Sequence, residues 1–292
     1  MLWAVFTLIA AAAQTARNAM QRELTATLGT VGATHVRFLF GFPFAMLFLA
    51  GVMIVTGAEL TNPPGMFWPW VLVGAFTQIA ATATMLSVMG QRSFVVAYAY
   101  IKTEPVHVAL FGLIFLGDKI TPLSAAAILV ATAGVIVISL KAGEARSTRS
   151  TVVGLFSGAL FGLSAIGYRG AILSLHLPDF VVAATFTVTV GLIIQAAALS
   201  LYLALRDAKI LRAIARAWKP SLFAGFMGAF ASEFWFLAFA ITTAANVRTL
   251  ALVEVLFAQG VTHFVFKQPT TTRESIGIVM VVVGVALLVW AY

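Results

Sequence analysis

Four ionisable side chains, Lys102, Glu104, Glu233 and Glu254, stand near the middle of long apolar runs. A charge at that depth in a bilayer costs at least about 2.5–3.5 kcal/mol on insertion scales, so each must serve substrate binding, proton coupling or helix pairing. At about 100° per residue Lys102 and Glu104 diverge by about 200° on one helix, so each needs a partner on another helix. Tyr98 lies one turn before Lys102, and Tyr100 one turn before Glu104, with His107 following on that second face. Tyr100 and Glu104 read as a shared polar face lining a cavity, and His107 as a packing residue bonded to a backbone carbonyl. Salt bridging of Lys102 by Glu104 or Glu254 is the purely structural alternative.

Secondary candidates are Gln78, Arg37, Arg248, Asn246, His107 and Trp235. Arg37, Arg169 and Arg248 fall within a turn or two of their span ends, where long stems carry the charge out to the headgroups. Arg248, beside Asn246, is also placed to reach an anionic group inside. Trp235, two residues beyond Glu233, offers an aromatic surface or simply faces lipid or core. The mid-span charges sum to one positive and three negative, a sign that favours protons, cations or zwitterions over anions.

The elements that must position these residues follow from composition. With 61% hydrophobic and 10% charged residues and a mean hydropathy of +1.02, the chain is excluded from the water-soluble class, which carries about 25% charged residues. Apolar runs of roughly 20 residues match a hydrocarbon core about 30 Å thick crossed by α-helix. Spans are expected at 2–18, 32–56, 67–88, 94–116, 121–140, 151–172, 179–205, 220–241, 246–266 and 274–292. The alternation of a transmembrane barrel is missing, and the start, without a basic leader, reads as a first span rather than a cleaved signal.

Of the nine connections, the odd-numbered ones hold most of the Lys and Arg, including Arg17 and Arg22 in the first. They are expected to face the cytoplasm, leaving both termini outside. The fifth, Arg206 to Lys219, sets Ile210, Leu211, Ile214 and Trp218 opposite basic residues and reads as an interfacial helix or a solvated basic loop. The net charge of +8 lies beside the spans, so anionic lipids rather than nucleic acid are the expected partners. There is no cysteine, phosphate loop, metal pattern or nucleophile elbow in the sequence, and neither an enzyme nor a cofactor or metal is expected.

A shift of 150 residues superposes Glu104 on Glu254, Thr121 on Thr271, Ile128 on Ile278, Gly134 on Gly284 and Val135 on Val285. Two halves with an odd number of spans insert in opposite orientations, as in secondary transporters built on inverted repeats. The expected fold is all-α integral membrane, with ten transmembrane helices in two inverted five-helix repeats, 1–140 and 151–292, joined by a cytoplasmic loop at 141–150. Gly154, Gly158 and Gly162 form a small-residue stripe for close helix approach, expected within one chain, which acts as a monomer or homodimer.

His35-Val36-Arg37-Phe38-Leu39, Glu104-Pro105, Leu116-Gly117-Asp118-Lys119-Ile120-Thr121 and the Gly134 span together resemble the EamA-type transporters of the drug/metabolite transporter superfamily. That family more often has Glu where Asp118 stands, and the second-half counterpart, Lys267-Gln268-Pro269-Thr270, has no acid. The resemblance implies a multi-pass protein of a bacterial inner membrane that exports a small-molecule substrate, an amino acid or amphipathic cation, by alternating access. Proton coupling through Glu104 and Glu254 is the expected drive. A passive channel or facilitator, or an importer or exchanger, is the alternative.

Overall fold

The computed structural model describes residues 1–59, 62–88, 99–139, 148–257, 259 and 271–292. Among them the chain is all helical, and eight stretches are long and apolar enough to cross a bilayer. The difference from the ten expected spans has two local causes. The first helix carries Gln14, Arg17 and Asn18, which lower its hydropathy, and the ninth span is broken, with much of its second part outside the described residues.

Helix α1 runs from Leu2 to Leu39 and does not stop at residue 18. It bends at Gly29, whose φ of 68° and ψ of 176° are open only to glycine, and resumes toward Phe40. The stretch expected as a loop is therefore mostly helix, and Arg17 is a buried helical residue rather than part of a basic connection. Next come α2 (Phe42–Thr56), α3 (Phe67–Val88) and α4 (Glu104–Phe111), which continues as a π-turn to Leu116 and closes at Gly117 with φ 66°. Then follow α5 (Pro122–Ser139), α6 (Thr148–Ser174) and α7 (Phe180–Arg206), the last capped by the Asp179 carboxylate accepting from Val181 N–H. Helix α8 (Ala208–Arg216) forms where the amphipathic segment was expected, and its Ile214 is buried against Leu24 and Leu28 of α1. Helix α9 spans Trp218–Ile241, α10 spans Ala244–Leu250, and α11 spans Thr272–Ala291 behind a Thr271/Glu274 capping box.

The most extensive helix pairings are α1 with α9, α3 with α6, and α5 with α11. In chain position the 150-residue shift carries α1 to α6, α3 to α9 and α5 to α11. The first two pairings are thus exchanged by the shift, and the third maps onto itself. Atomic contacts follow the same rule. A Cβ on Gly134 would lie 2.8 Å from Val281 N, and one on Gly284 would lie 2.6 Å from Ala131 N. Residue 134 shifts to 284 and residue 281 to 131, so each contact is the image of the other. Where lipid removes most of the hydrophobic drive between helices, such backbone-to-backbone packing supplies the attraction. Large apolar side chains such as Val55, Leu205 and Trp290 point outward, as a lipid-facing surface requires.

Candidate functional site

The fourth span breaks where its chemistry lies. Residues 99–101 are helical, 102–103 form a turn, and α4 restarts at Glu104-Pro105. Pro105 has no N–H to offer the carbonyl of Ile101, so the α-ladder cannot run through. Thr103 Oγ1 instead donates to Tyr100 O at 2.6 Å, and His107 Nδ1 donates to Thr103 O at 3.1 Å. An equivalent break lies in the second half of the sequence: α10 gives way to a 3₁₀ turn at Ala251–Val253, one residue before Glu254. Residues 101–103 shifted by 150 are residues 251–253.

Across these breaks the halves exchange charges. Lys102 Nζ is ion-paired with Glu254 Oε1. Arg248 Nε faces Glu104 Oε1 at 2.9 Å, close enough for an ion pair but outside hydrogen-bond alignment. Glu104 and Glu254 are therefore each faced by a cation from the other half of the sequence. The Arg248 guanidinium also stacks over Trp235 at 4.5 Å and Phe239 at 5.3 Å, and Trp235 Nε1 donates to Gln14 Oε1 at 3.2 Å. Cation, carboxylate and indole thus form one connected polar unit tied to α1.

This unit borders a central cavity of about 40 Å³, lined by Gln14, Arg17, Arg37, Gln78, Lys102, Glu104, Phe161, Trp235 and Arg248 among others. A neighbouring void of about 20 Å³ shares Gln14, Lys102, Glu104 and Arg248 with it and adds Glu254. At about 10–15 Å³ per water the two hold a few waters and no metabolite, so this conformation is closed around its centre.

The sign of that lining corrects the expectation drawn from depth alone. Arg17, Arg37, Lys102 and Arg248 stand against Glu104 and Glu254, four cations to two carboxylates among the described residues. Glu233 is elsewhere, buried and accepting from Thr185 Oγ1 at 2.5 Å, with its Oε2 lacking a hydrogen-bond partner. Nor do the three arginines near span ends reach the headgroups. Arg37 is only 4% exposed, Arg248 is inside the polar unit, and Arg169 is ion-paired with Asp118 at 2.6 Å while donating to Thr242 O at 3.0 Å. Distance from a span end fails as a guide when the helix bends, as α1 does at Gly29, or starts inside the fold, as α10 does.

The other candidates divide. Gln78 and Trp235 line the central cavity. Asn246 borders a different void of about 160 Å³ with Asp118, Lys119 and Tyr292, and donates to Thr242 Oγ1 at 3.1 Å. Tyr100 packs with Ala99 and Ile136 instead of lining the cavity beside Glu104. Tyr98 lies outside the described residues. Gly158 and Gly162 meet the fourth span, a Cβ on Gly158 lying 3.0 Å from Ile101 O and one on Gly162 3.1 Å from His107 Cβ. Gln14, Arg17 and Asn18 were missed, although their i, i+3, i+4 spacing already marks a polar stripe on one helix face.

Eight helices long and apolar enough to cross a bilayer thus surround a charged centre, as in a multi-pass membrane protein. Residues 1–140 match the model of the EamA-like transporter family, a likeness in keeping with the drug/metabolite transporter superfamily. Twenty-eight chains of solved structures are similar. One, described as "Crystal structure of protein", aligns over 99% of this chain and 99% of its own with a TM-score of 0.66 and 16% identity, a likeness of fold. No curated protein matches.

Proposed function

We propose that the protein is a secondary active transporter that exports a small metabolite from the bacterial cytoplasm by alternating access between two inverted five-helix halves. The observation that carries this reading is the reciprocal pairing of Lys102 with Glu254 and of Arg248 with Glu104 at breaks related by the repeat. Broken helices facing each other across a repeat interface are where transporters of this design hold their cargo. Substrate enters the charged cavity beside these pairs, and the halves then rock about the glycine contacts of α5 and α11.

A passive channel would need a continuous polar lining. Here the central cavity is closed at about 40 Å³. Proton coupling, in this reading, falls to Glu233 rather than to Glu104 and Glu254, because those two already neutralise cations. Purified protein in vesicles with labelled solutes inside and an imposed pH gradient tests the proposal. Saturable, trans-stimulated efflux without unitary currents supports it; unitary currents or non-saturating leak contradict it.

A further inference from the structure

Arg37 is 4% exposed, lines the central cavity, and has no carboxylate within ion-pair distance among the described residues. Its Nε lacks a hydrogen-bond partner. The other acid–base pairs at the site are already made: Glu104 faces Arg248 and Glu254 holds Lys102. Arg37 also has company. A Cβ on Gly228 of α9 would lie 3.1 Å from Arg37 Cγ and 3.5 Å from Arg17 Cδ, so one glycine lets two arginine stems pass side by side into the same space. Buried charge without a counter-charge is strongly unfavourable, and a guanidinium fork is matched in shape by an oxyanion.

We propose that the central cavity takes a small organic anion, with its carboxylate or phosphate head on Arg37 beside Arg17 and its apolar body against Trp235 and Phe161. The proposal rests on the transport reading and narrows its substrate class, setting aside amphipathic cations. His35 of the same segment does not share this role, since its Nε2 meets Ser200 Oγ at 3.0 Å and fixes α1 to α7. An amine would have to displace Lys102 or Arg248 from its carboxylate, whereas an oxyanion adds the missing partner. Closure of the cavity to about 40 Å³ means the site must widen to admit either head.

The test uses full-length protein in detergent and in vesicles, with four probes of one shape class: 3-phenyllactate, phenyl phosphate, phenethylamine and the neutral methyl ester of phenyllactate. Binding is read by shift of the melting temperature and by equilibrium dialysis. The expected result is saturable binding of at least one anion, at least tenfold tighter than the amine and the ester. Arg37→Gln should weaken that anion tenfold or more, and Arg37→Lys should restore part of the loss. Preference between the two anions separates carboxylate from phosphate recognition. Equal or tighter binding of the amine or ester, no binding by either anion, or an Arg37→Gln variant with unchanged anion affinity overturns the proposal. Should Arg37→Gln fail to fold, the wild-type discrimination alone decides. Anion binding without flux would leave this site standing and defeat the transport reading, while flux of amines alone would do the reverse.

Discussion

Lys102, two residues before Glu104, is ion-paired with Glu254, which lies 150 residues beyond Glu104. Because Glu104 is in turn faced by Arg248, the centre is closed by two bridges that both run between halves. Neither half completes its own charge pairing. A motion that parted residues 102–104 from residues 248–254 would break both bridges together.

Removing one member of such a bridge is more costly than removing both, because the remaining charge stays in a low-dielectric setting. Glu254→Gln is expected to destabilise the protein by about 3–5 kcal/mol. The double replacement Lys102→Met with Glu254→Leu should recover most of that loss. Melting in detergent, followed by tryptophan fluorescence, reads the difference; equal melting of the single and double variants would sink the claim.

Arg248 combines a charge pair with stacking on Trp235 and Phe239. Arg248→Lys keeps the charge but loses the planar stack, at a cost of about 0.5–2 kcal/mol. A shift in tryptophan emission should accompany the change. An unaltered emission spectrum would show that the stack is not formed in the folded protein.

The α5–α11 crossing predicts a contrast between two glycines. Gly134→Leu must displace the backbone of Gly277 and Val281, each 2.8 Å from the added Cβ. Overpacking of this kind costs typically about 1–3 kcal/mol, and backbone neighbours leave little room to give. Gly51→Ala, on α2 with nothing within 4 Å, should be neutral or stabilising by up to about 1 kcal/mol through helix propensity. Melting and monodispersity on gel filtration check both, and a tolerated Gly134→Leu would contradict the close crossing.

Asp118 and Arg169 form a third link at another level of the bundle, joining the end of the fourth span to α6 and, through Thr242 O, to the end of α9. Asp118→Asn is expected to cost about 1.5–3 kcal/mol, the range for a hydrogen bond to a charged group. Arg169→Lys should lose the Thr242 contact as well and resemble it. Melting unchanged in both variants would refute the link.

Depth in an apolar run was enough to single out Lys102, Glu104 and Glu254, because a charge that cannot reach water must find a partner in the protein. The direction of each side chain was not legible. Lys102 meets Glu254 where both helices break immediately before the carboxylates, and Pro105 announces that break in the first half of the sequence alone. Arg17 falls in an expected loop because the apolar run ends near residue 18, while the helix continues to Gly29 and turns Gln14, Arg17 and Asn18 toward the cavity. Arg37 and Arg248 were given an escape to the headgroups by counting from span ends, and the bend at Gly29 and the inward start of α10 remove it. The sign of the cavity lining therefore differs from the sum of the mid-span charges.

Alternating access requires that one central residue be reachable from each side in turn. Gln78 lines the cavity, and the chain has no cysteine, so Gln78→Cys gives a single reactive thiol. Labelling by a membrane-impermeant maleimide in right-side-out and inside-out vesicles is the direct test. Modification from both sides, with no unitary current, is the expected result. Modification from one side only, or from neither, would contradict the account.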